Sequence, residues 1–370
     1  MNLELDFLPI GEKTQCGDAL ILSYGNLKGQ RYEYSIVVVD SGFQENGDHI
    51  VDHIKNTYDT DVVDLLISTH PDQDHSGGIP IVLEKLDVKK IWMHKPWDHT
   101  ENIAKLFTNP SVTDQGVKKE INKSLSTVKE VEKIAKRKGI PIIEPFTGLK
   151  DESGCLVVLG PDEKFYKEEL IPNFRCTPES KDDSIVETIK DKLGEISESI
   201  KDYVDEKWDL ETLDDSGETT AENNSSTILL LNINDNHILL TSDAGQPALT
   251  RVVNLLDSEE YDYSKIKLIQ VPHHGSHRNI SPDLLDKLIG PKLDIETDIA
   301  TKITVVSIAR ELDDKHPSKK VMNAFKRRGG PVHATNGGLK YYGIGDVPRQ
   351  NEYPSSKSLP FFYKVEKHTN

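Results

Sequence analysis

The chain has 370 residues, 36% of them hydrophobic, which is enough for a sizeable core in one large domain or two small ones. Its formal net charge of −17 counts against tight, non-specific binding to nucleic acid. No apolar run approaches the length of a membrane span, the acidic N-terminus does not resemble a signal peptide, and three widely spaced cysteines give no disulfide framework, so we expect a cytoplasmic protein without a membrane segment.

The first forty residues predict β-structure. Leu3–Phe7 alternates apolar and polar residues, Ala19–Tyr24 is rich in apolar residues, and Tyr32–Val39 is β-branched and aromatic. A Gly/Asn-containing turn between the second and third of these segments predicts a hairpin. The third strand stops at Asp40-Ser41-Gly42.

Predicted helices and strands alternate in the next part of the chain. The predicted helices are His49–Thr57, Ile79–Leu86 and a long amphipathic helix over Gly116–Lys138, whose apolar residues recur at helical spacing. The predicted strands are Val62–Ser68, Lys89–Met93 and Leu156–Leu159, and Gly160-Pro161 closes the last of these.

Residues 161–222 are predicted to be an acidic insertion outside the core of the domain. This segment holds 20 acidic and 8 basic residues, a net charge of −12, so only about −5 falls on the rest of the chain. Apolar residues at helical spacing predict a helix over Ser184–Trp208, and the polar stretch Asp214–Asn224 predicts a mobile linker. Because the apolar stripe needs a surface to pack on, the insertion is a candidate contact for a protein partner or a homodimer.

Strands are predicted again after the insertion. Thr227–Ile233 and His237–Thr241 are joined by Asn234-Asp235-Asn236, which predicts a second hairpin. Two further predicted strands, Lys267–Val271 and Ile303–Ile308, are separated by a helical stretch, Pro282–Leu288.

The sequence His70-Pro71-Asp72-Gln73-Asp74-His75 is the densest group of potential metal ligands. It follows the apolar run Leu65–Ile67, and two glycines and a predicted helix come after it. Imidazole and carboxylate side chains together suit Zn, Mn or Fe. A polar turn with incidental His and Asp residues is the alternative, but such turns rarely concentrate ligands directly behind an apolar strand.

Three further motifs also follow apolar strands. They are Val39-Asp40-Ser41-Gly42, Thr241-Ser242-Asp243-Ala244 and Pro272-His273-His274-Gly275. Together with the ligand loop they give the order Asp, His-x-Asp-x-Asp-His, Asp, His along the chain.

At these motifs the chain resembles the metallo-β-lactamase-fold hydrolases, and within them the soluble hydrolase domain of ComEC-type DNA-internalisation proteins. The resemblance covers roughly residues 3–160 and 223–345. It extends beyond the ligand motifs to Cys16-Gly17-Asp18-Ala19, Leu159-Gly160-Pro161, Asn223-Asn224-Ser225-Ser226, Lys315-His316-Pro317-Ser318 and Thr335-Asn336-Gly337-Gly338.

The resemblance implies two divalent metal ions and assigns their ligands. His70 and Asp72 would bind one ion, and Asp74 and His75 the other. Asp243 would bridge the two ions, and Asp40 would orient ligands without binding metal. The last histidine would be His274 rather than His273, because related proteins often carry Gly-His-Gly where this chain has His273-His274-Gly275.

The chain departs from the superfamily pattern in two places. Asp72 stands where most members have His, and no histidine occurs between His99 and His237 to supply a further ligand. Asn224 or a nearby serine could substitute, or water could fill the position. Oxygen ligands shift the expected metal from Zn towards Mn, with Mg also possible. The ComEC-type branch shares both departures.

His316, before Pro317, has two interpretations of about equal weight. It could bind a phosphate oxygen or protonate a leaving group, or it could be a loop histidine that caps a helix.

The sequence therefore predicts an αββα sandwich with two mixed sheets, helices outside and the acidic insertion at 161–222. The predicted function is metal-dependent hydrolysis of a phosphodiester, with DNA or RNA as candidate substrates, a metal-bridged hydroxide as nucleophile and Asp74, Asp243 and His316 as catalytic residues. One alternative is hydrolysis of a small phosphorylated molecule such as a nucleotide or cyclic nucleotide. The alternative from another class is a catalytically weak binding or regulatory module.

Overall fold

The computed structural model describes residues 1–11, 15–178, 203–296, 300–311, 316–350, 352 and 356–367. Within these residues, the strands are β1 (Asn2–Phe7), β2 (Leu20–Gly25), β3 (Tyr34–Val39), β4 (Val62–Val63), β5 (Leu65–Ser68), β6 (Asp87–Val88), β7 (Ile91–Met93), β8 (Ile142–Ile143), β9 (Leu156–Gly160), β10 (Tyr203–Asp205), β11 (Ile228–Ile233), β12 (Asn236–Leu240), β13 (Ile266–Gln270), β14 (Ile303–Val306), β15 (Val332–Ala334), β16 (Lys340–Ile344) and β17 (Lys364–Glu366).

The α-helices of the same residues are α1 (Gly47–Tyr58), α2 (Gln73–Ser76), α3 (Ile79–Lys85), α4 (Asp114–Ser124), α5 (Ser126–Lys138), α6 (Ala221–Asn224), α7 (Gln246–Ser258), α8 (Pro282–Leu288) and α9 (Lys319–Arg327). A π-helical turn spans Phe165–Leu170. None of the helices in the described ranges is long and apolar enough to cross a lipid bilayer.

Two mixed sheets form the centre of the fold, as predicted. Among the strands described, the first sheet has the order β16-β1-β2-β3-β5-β7-β8 and the second the order β15-β14-β13-β12-β11-β9. The first is antiparallel from β16 to β3 and parallel from β3 to β8. The second is parallel from β15 to β12 and antiparallel from β12 to β9.

The core lies in layers because side chains alternate between the two faces of each strand. Leu3, Leu5 and Phe7 of β1 share one buried cluster with Leu229 and Leu231 of β11, which places the two sheets face to face. The opposite faces of both sheets share a second cluster with apolar residues of α1, α3, α5, α7, α8 and α9. The predicted αββα sandwich is therefore confirmed.

The carboxyl ends of several parallel strands lie close together. β3 and β5 run parallel in the first sheet, and β12, β13 and β14 run parallel in the second. The carboxyl ends of parallel strands lie at one edge of a sheet, which is where open α/β sheets bind ligands.

Some predicted element boundaries are wrong. The helix predicted over Gly116–Lys138 is two helices, α4 and α5, separated at Leu125, whose φ of −94° and ψ of 44° are not helical. The strand predicted over Val62–Ser68 is divided at Asp64, which turns its carboxylate to Arg31 and to the Ile36 amide. Likewise, only Ile91–Met93 of the strand predicted over Lys89–Met93 forms a strand, β7. A separate short strand, β6, precedes it.

Only part of the predicted insertion can be compared with the structure. Residues 179–202, which carry most of the helix predicted over Ser184–Trp208, lie outside the described residues. The C-terminal end of that helix is wrong, because Tyr203–Asp205 forms strand β10. Near the N-terminal end of the predicted insertion, Phe165 and Phe174 are buried in the second cluster, between the sheets and the outer helices, which is called the helix-side core below. Whether residues 161–222 form a separable unit stays a prediction.

Residues 203–224 are called the strap below. The strap begins beside the C-terminal strand β17 and ends at the edge of the sheets where the parallel strands end. β10 pairs antiparallel with β17. The buried Arg327 side chain donates hydrogen bonds to the carbonyl oxygens of Lys207, Trp208 and Leu210. The strap ends in α6, whose four residues are buried, so the linker predicted over Asp214–Asn224 is wrong at its C-terminal end.

Candidate metal centre

The candidate site lies where loops from both sheets meet. Asp40 follows β3, His70 follows β5, Asp243 follows β12, and His273 and His274 follow β13. Each apolar strand is buried in the sandwich, so the first residues after it emerge at the same edge.

His75 is the innermost imidazole of the site. Its ring is fully buried, and Nδ1 lies 2.8 Å from Asp40 Oδ2. Asp40 also accepts hydrogen bonds from the amide (2.8 Å) and the hydroxyl (2.6 Å) of Thr69, which hold its carboxylate in place. Because Nδ1 donates to the Asp40 carboxylate, Nε2 is turned towards Asp243 Oδ1 at 3.2 Å.

His274 is held in the same tautomer by a different acceptor. Its Nδ1 donates to the carbonyl oxygen of Ser307 at 2.9 Å, just after β14. Its Nε2 therefore faces the site, 3.5 Å from Asp74 Oδ2 and 4.0 Å from Asp243 Oδ1. Asp74, His75, Asp243 and His274 thus form one group whose ligand atoms all lie within 4.8 Å of one another.

A second pair of imidazoles faces the other oxygen of Asp243. His70 Nε2 lies 3.8 Å and His273 Nε2 lies 3.5 Å from Asp243 Oδ2. His273 Nδ1 lies 2.9 Å from Asn279 Oδ1, and the Asn279 amide donates in turn to the Asp243 carbonyl oxygen. The Asp243 carboxylate therefore separates two groups of nitrogen ligands, one at each oxygen.

Within the part of the chain that the structure describes, four buried side-chain atoms of the facing His and Asp residues find no hydrogen-bond partner of acceptable geometry. They are His70 Nε2, His75 Nε2, Asp243 Oδ1 and His274 Nε2. A buried polar atom without a partner is costly, and native proteins satisfy nearly all of them. Two or more imidazole lone pairs around a shared carboxylate are the donor set of a divalent cation, so the residues present fit a metal centre.

The backbone of the site is strained. Asp40, Ser242, His273 and His274 have φ values of 58°, 47°, 45° and 53°, which side chains other than glycine rarely adopt. Such conformations cost free energy and persist where the surrounding structure enforces them, often at functional sites. Here they aim the side chains of three different loops at one point.

The carboxylates and imidazoles shift one another's pKa values. Burial lowers the pKa of His75, but the carboxylates of Asp243, Asp74 and Asp40 outweigh it and raise that pKa well above its usual value. Burial also opposes protonation of His274, yet Asp243 and Asp74 raise its pKa to about 10. Conversely, burial raises the pKa of Asp243, while His273 and His75 bring it well below its usual value. A metal ion would replace protons that these histidines otherwise hold.

The structure does not bring every predicted ligand into the group. Asp72 pairs with Arg175. The side-chain amide of Asn224 donates to the Thr220 carbonyl oxygen, and its Oδ1 lies beside Gly245. The His316 ring is 6.1 Å from that of His273, at the rim of the site. Both members of the histidine pair face Asp243, so the preference for His274 over His273 as the metal ligand stays a prediction.

Several residues that hold the site were not singled out from the sequence. Thr69, Asn279 and Ser307 fix Asp40, His273 and His274, and Arg175 and Glu222 surround Asp72. Thr69 and Ser307 had a detectable signal, because each follows the apolar core of a predicted strand. Nothing local in the sequence marked Asn279, Arg175 or Glu222.

Comparisons with known proteins give limited information. No protein-family model matches the chain. The uncharacterized protein YcaI of Escherichia coli K12 is 29% identical over 122 residues, which are 33% of this chain. The chain thus spans only 14% of the length of the curated relative it matches.

Two solved structures are similar to the chain at low scores. The metallo-β-lactamase fold protein YhfI from Bacillus subtilis has a TM-score of 0.41 and 9% identity, covering 93% of this chain and 100% of that one. Tm1679, a metal-dependent hydrolase of the β-lactamase superfamily, has a TM-score of 0.42 and 11% identity, with the same coverage. Since these scores are low, the assignment of the sandwich rests on the chain's own sheet order and core.

Proposed function

We propose that the protein is a metal-dependent hydrolase that cleaves phosphodiester bonds. The observation that carries the proposal is the convergence of unpartnered, buried nitrogen and oxygen atoms of His70, His75, His274 and Asp243 on one place. A merely structural cluster would have satisfied these atoms with hydrogen bonds.

Two cations are proposed at this centre. One would be held by Asp74, His75, His274 and Asp243 Oδ1, and the other by His70, His273 and Asp243 Oδ2. Divalent ions bound there would supply Lewis-acid stabilisation of a phosphoryl oxygen and lower the pKa of a water molecule. Asp72 would join the second ion only by leaving Arg175.

The chain's own residues orient and support this chemistry. Asp40, Ser307 and Asn279 accept the Nδ1 protons of His75, His274 and His273, so that the three Nε2 lone pairs face inward. Asp74 is about a quarter exposed while His75 is fully buried, so solvent and substrate reach the site from the Asp74 side. His316 at the rim is proposed to contact the substrate or its leaving group.

The resemblance to ComEC-type hydrolase domains supports nucleic acid as the first substrate to test. A specific observation favours a smaller substrate as the second candidate: the chain carries a net charge of −17, which repels a long polyanion. A nucleotide or cyclic nucleotide offers the same scissile group with fewer charges. A binding module without turnover remains the third candidate.

One assay separates these candidates. Metal-stripped protein would be reconstituted with Mn, Zn or Mg and given bis(p-nitrophenyl) phosphate, plasmid, single-stranded DNA, RNA and cyclic mononucleotides in parallel. We expect metal-dependent release of p-nitrophenol and cleavage of at least one biological substrate. Asp243→Asn protein provides the background rate. Metal binding without hydrolysis of any substrate would contradict the proposal and favour the binding module.

Mn is expected to support higher turnover than Zn. The proposed ligand set includes the carboxylates of Asp74 and Asp243, and Asp72 would add a third on leaving Arg175; oxygen ligands favour harder ions. Turnover would be compared at equal, measured occupancy of the two ions, because Zn binds many sites more tightly. Higher turnover with Zn at equal occupancy would show that nitrogen ligands such as His273 dominate.

Asp40→Ala is expected to weaken metal binding by about 10–100-fold, because His75 would lose the acceptor that fixes its tautomer. Calorimetric titration of metal-stripped protein with Mn measures the effect. Asp64→Ala is the matched control: Asp64 also accepts a backbone hydrogen bond, but it lies at the opposite end of β5. Equal Mn affinity in both variants would show that Asp40 does not support a metal ligand.

A further inference from the structure

Arg175 lies at the mouth of the candidate metal centre. Its guanidinium pairs with Asp72, inside the ligand loop, and its Nε lies 3.4 Å from Glu222 Oε1. The side chain is 42% exposed. The accessible members of the site are on the same side, since the side chains of Asp72, Asp74 and His273 are 23%, 26% and 26% exposed while His70 and His75 are buried.

The backbone around Arg175 is fixed. Phe174 is fully buried in the helix-side core, and the buried Thr177 hydroxyl donates to the carbonyl oxygens of Pro172 and Phe174. The Arg175 amide donates to Glu222 Oε1 at 2.8 Å. The arginine therefore reaches the site from a well-anchored segment, which reduces the entropy lost when it binds a ligand.

The carboxylates around Arg175 keep it charged. Burial lowers the pKa of the guanidinium, but Asp72 and Glu222 outweigh it and raise that pKa. Glu222 is buried, and its Oε2 has no hydrogen-bond partner among the described residues. The Nε of the guanidinium thus lies beside Glu222, and its Nη2 pairs with Asp72 at the entrance.

We propose that Arg175 is a substrate-binding residue that contacts a non-bridging oxygen of the phosphodiester next to the metal centre. Its planar fork of N–H donors matches phosphate oxygens, and its partner Asp72 is a ligand-loop carboxylate that a cation can draw away. Substrate oxygens would then replace the Asp72 carboxylate at the Nη atoms. The residue would set affinity for the anionic substrate rather than the chemical step. This inference rests on the proposed function for the identity of its ligand.

The test compares Mn-loaded wild-type protein with Arg175→Gln and Arg175→Lys. For Arg175→Gln we expect KM for bis(p-nitrophenyl) phosphate and the inhibition constant of inorganic phosphate to rise about tenfold, with kcat within about threefold of wild type. Arg175→Lys should fall between the two, since it keeps the charge and loses the fork. The Mn content of each protein is measured alongside.

Arg251→Gln is the matched control. Arg251 is also 42% exposed and also faces two carboxylates, Asp162 at 3.5 Å and Glu169 at 2.7 Å, but neither belongs to the metal centre. The Arg251→Gln substitution should leave KM and the inhibition constant of phosphate unchanged. Unchanged KM and inhibition in Arg175→Gln would overturn the inference, as would a KM increase that added Mn reverses, because Arg175 would then support the metal.

Calorimetric binding of inorganic phosphate keeps the inference testable if no phosphodiesterase activity is found. Tenfold weaker phosphate binding in Arg175→Gln than in inactive wild-type protein would support Arg175 as an anion-binding residue while the proposed function fails. If wild-type protein is active and Arg175→Gln binds phosphate as tightly as wild type does, the inference about Arg175 is overturned while the proposed function stands. Absence of phosphate binding in wild-type protein would overturn the inference.

Discussion

Asp243→Ala is expected to lower kcat for phosphodiester hydrolysis by about a thousandfold or more, the scale on which removal of a central electrostatic group acts. Both oxygens of this carboxylate face imidazole nitrogens, His75 at 3.2 Å and His273 at 3.5 Å, so this side chain would hold the two proposed cations together. Steady-state kinetics at saturating Mn and a count of bound Mn per chain measure the loss. We expect fewer than two ions per chain.

A control separates loss of chemistry from loss of fold. Asp257→Ala removes a carboxylate that binds Lys287 and Tyr263 away from the site, and we expect no effect of that change on kcat. The secondary structure of metal-stripped Asp243→Ala should stay close to wild type, whereas its urea midpoint should fall, because the buried His75 loses its carboxylate partner. Retained turnover in Asp243→Ala would move the catalytic site elsewhere.

Much of the site was predictable from the sequence because the signal is local. An apolar strand followed at once by Asp or His places that residue at the carboxyl edge of a sheet, and parallel strands bring such residues together. The positions of Asp40, His70, Asp243 and the histidine pair follow from this rule, whereas His75 lies in α2, which follows the ligand-loop residues His70 and Asp72. The orientation of His273 was harder to predict. Which of two adjacent histidines faces the site depends on the backbone of that loop, where His273 and His274 have φ values of 45° and 53°.

Contacts between distant segments could not be predicted. Arg175 and Asp72 are 103 positions apart, and their pairing depends on how the segment after β9 packs Phe174 into the core. Without that pairing, the resemblance implied that Asp72 would bind one metal ion together with His70. The structure gives it a competing cation, which changes the expected behaviour of the loop from a preformed site to an exchange between Arg175 and metal.

Errors in the predicted elements have similar causes. Val117, Ile121, Leu125 and Val128 are all buried, so the helical period continues through the break between α4 and α5. Periodicity reports which face is buried and does not report backbone angles. The strand Tyr203–Asp205 exists because Lys364–Glu366, far along the chain, pairs with it.

The same long-range pairing leads to a second large effect. Arg327→Met is expected to lower the free energy of unfolding by about 3–5 kcal/mol, because it leaves a buried carboxylate without its cation. Arg327 and Glu206 are both fully buried and lie 2.6 Å apart. The arginine also satisfies three strap carbonyls, which would lose their donor. Urea unfolding followed by tryptophan fluorescence measures the change, since Trp208 lies in the strap.

Two further variants identify which interaction is responsible. Arg137→Met removes an exposed ion pair with Glu84 and should cost less than about 1 kcal/mol. The double variant Glu206→Gln/Arg327→Met removes the unpaired charge and keeps the loss at the carbonyls, so its stability reports the carbonyl contribution alone. Recovery of most of the loss would assign the effect to the buried charge. No recovery would assign it to the strap carbonyls, and a loss below about 1 kcal/mol in the single variant would show that Arg327 does not anchor the strap.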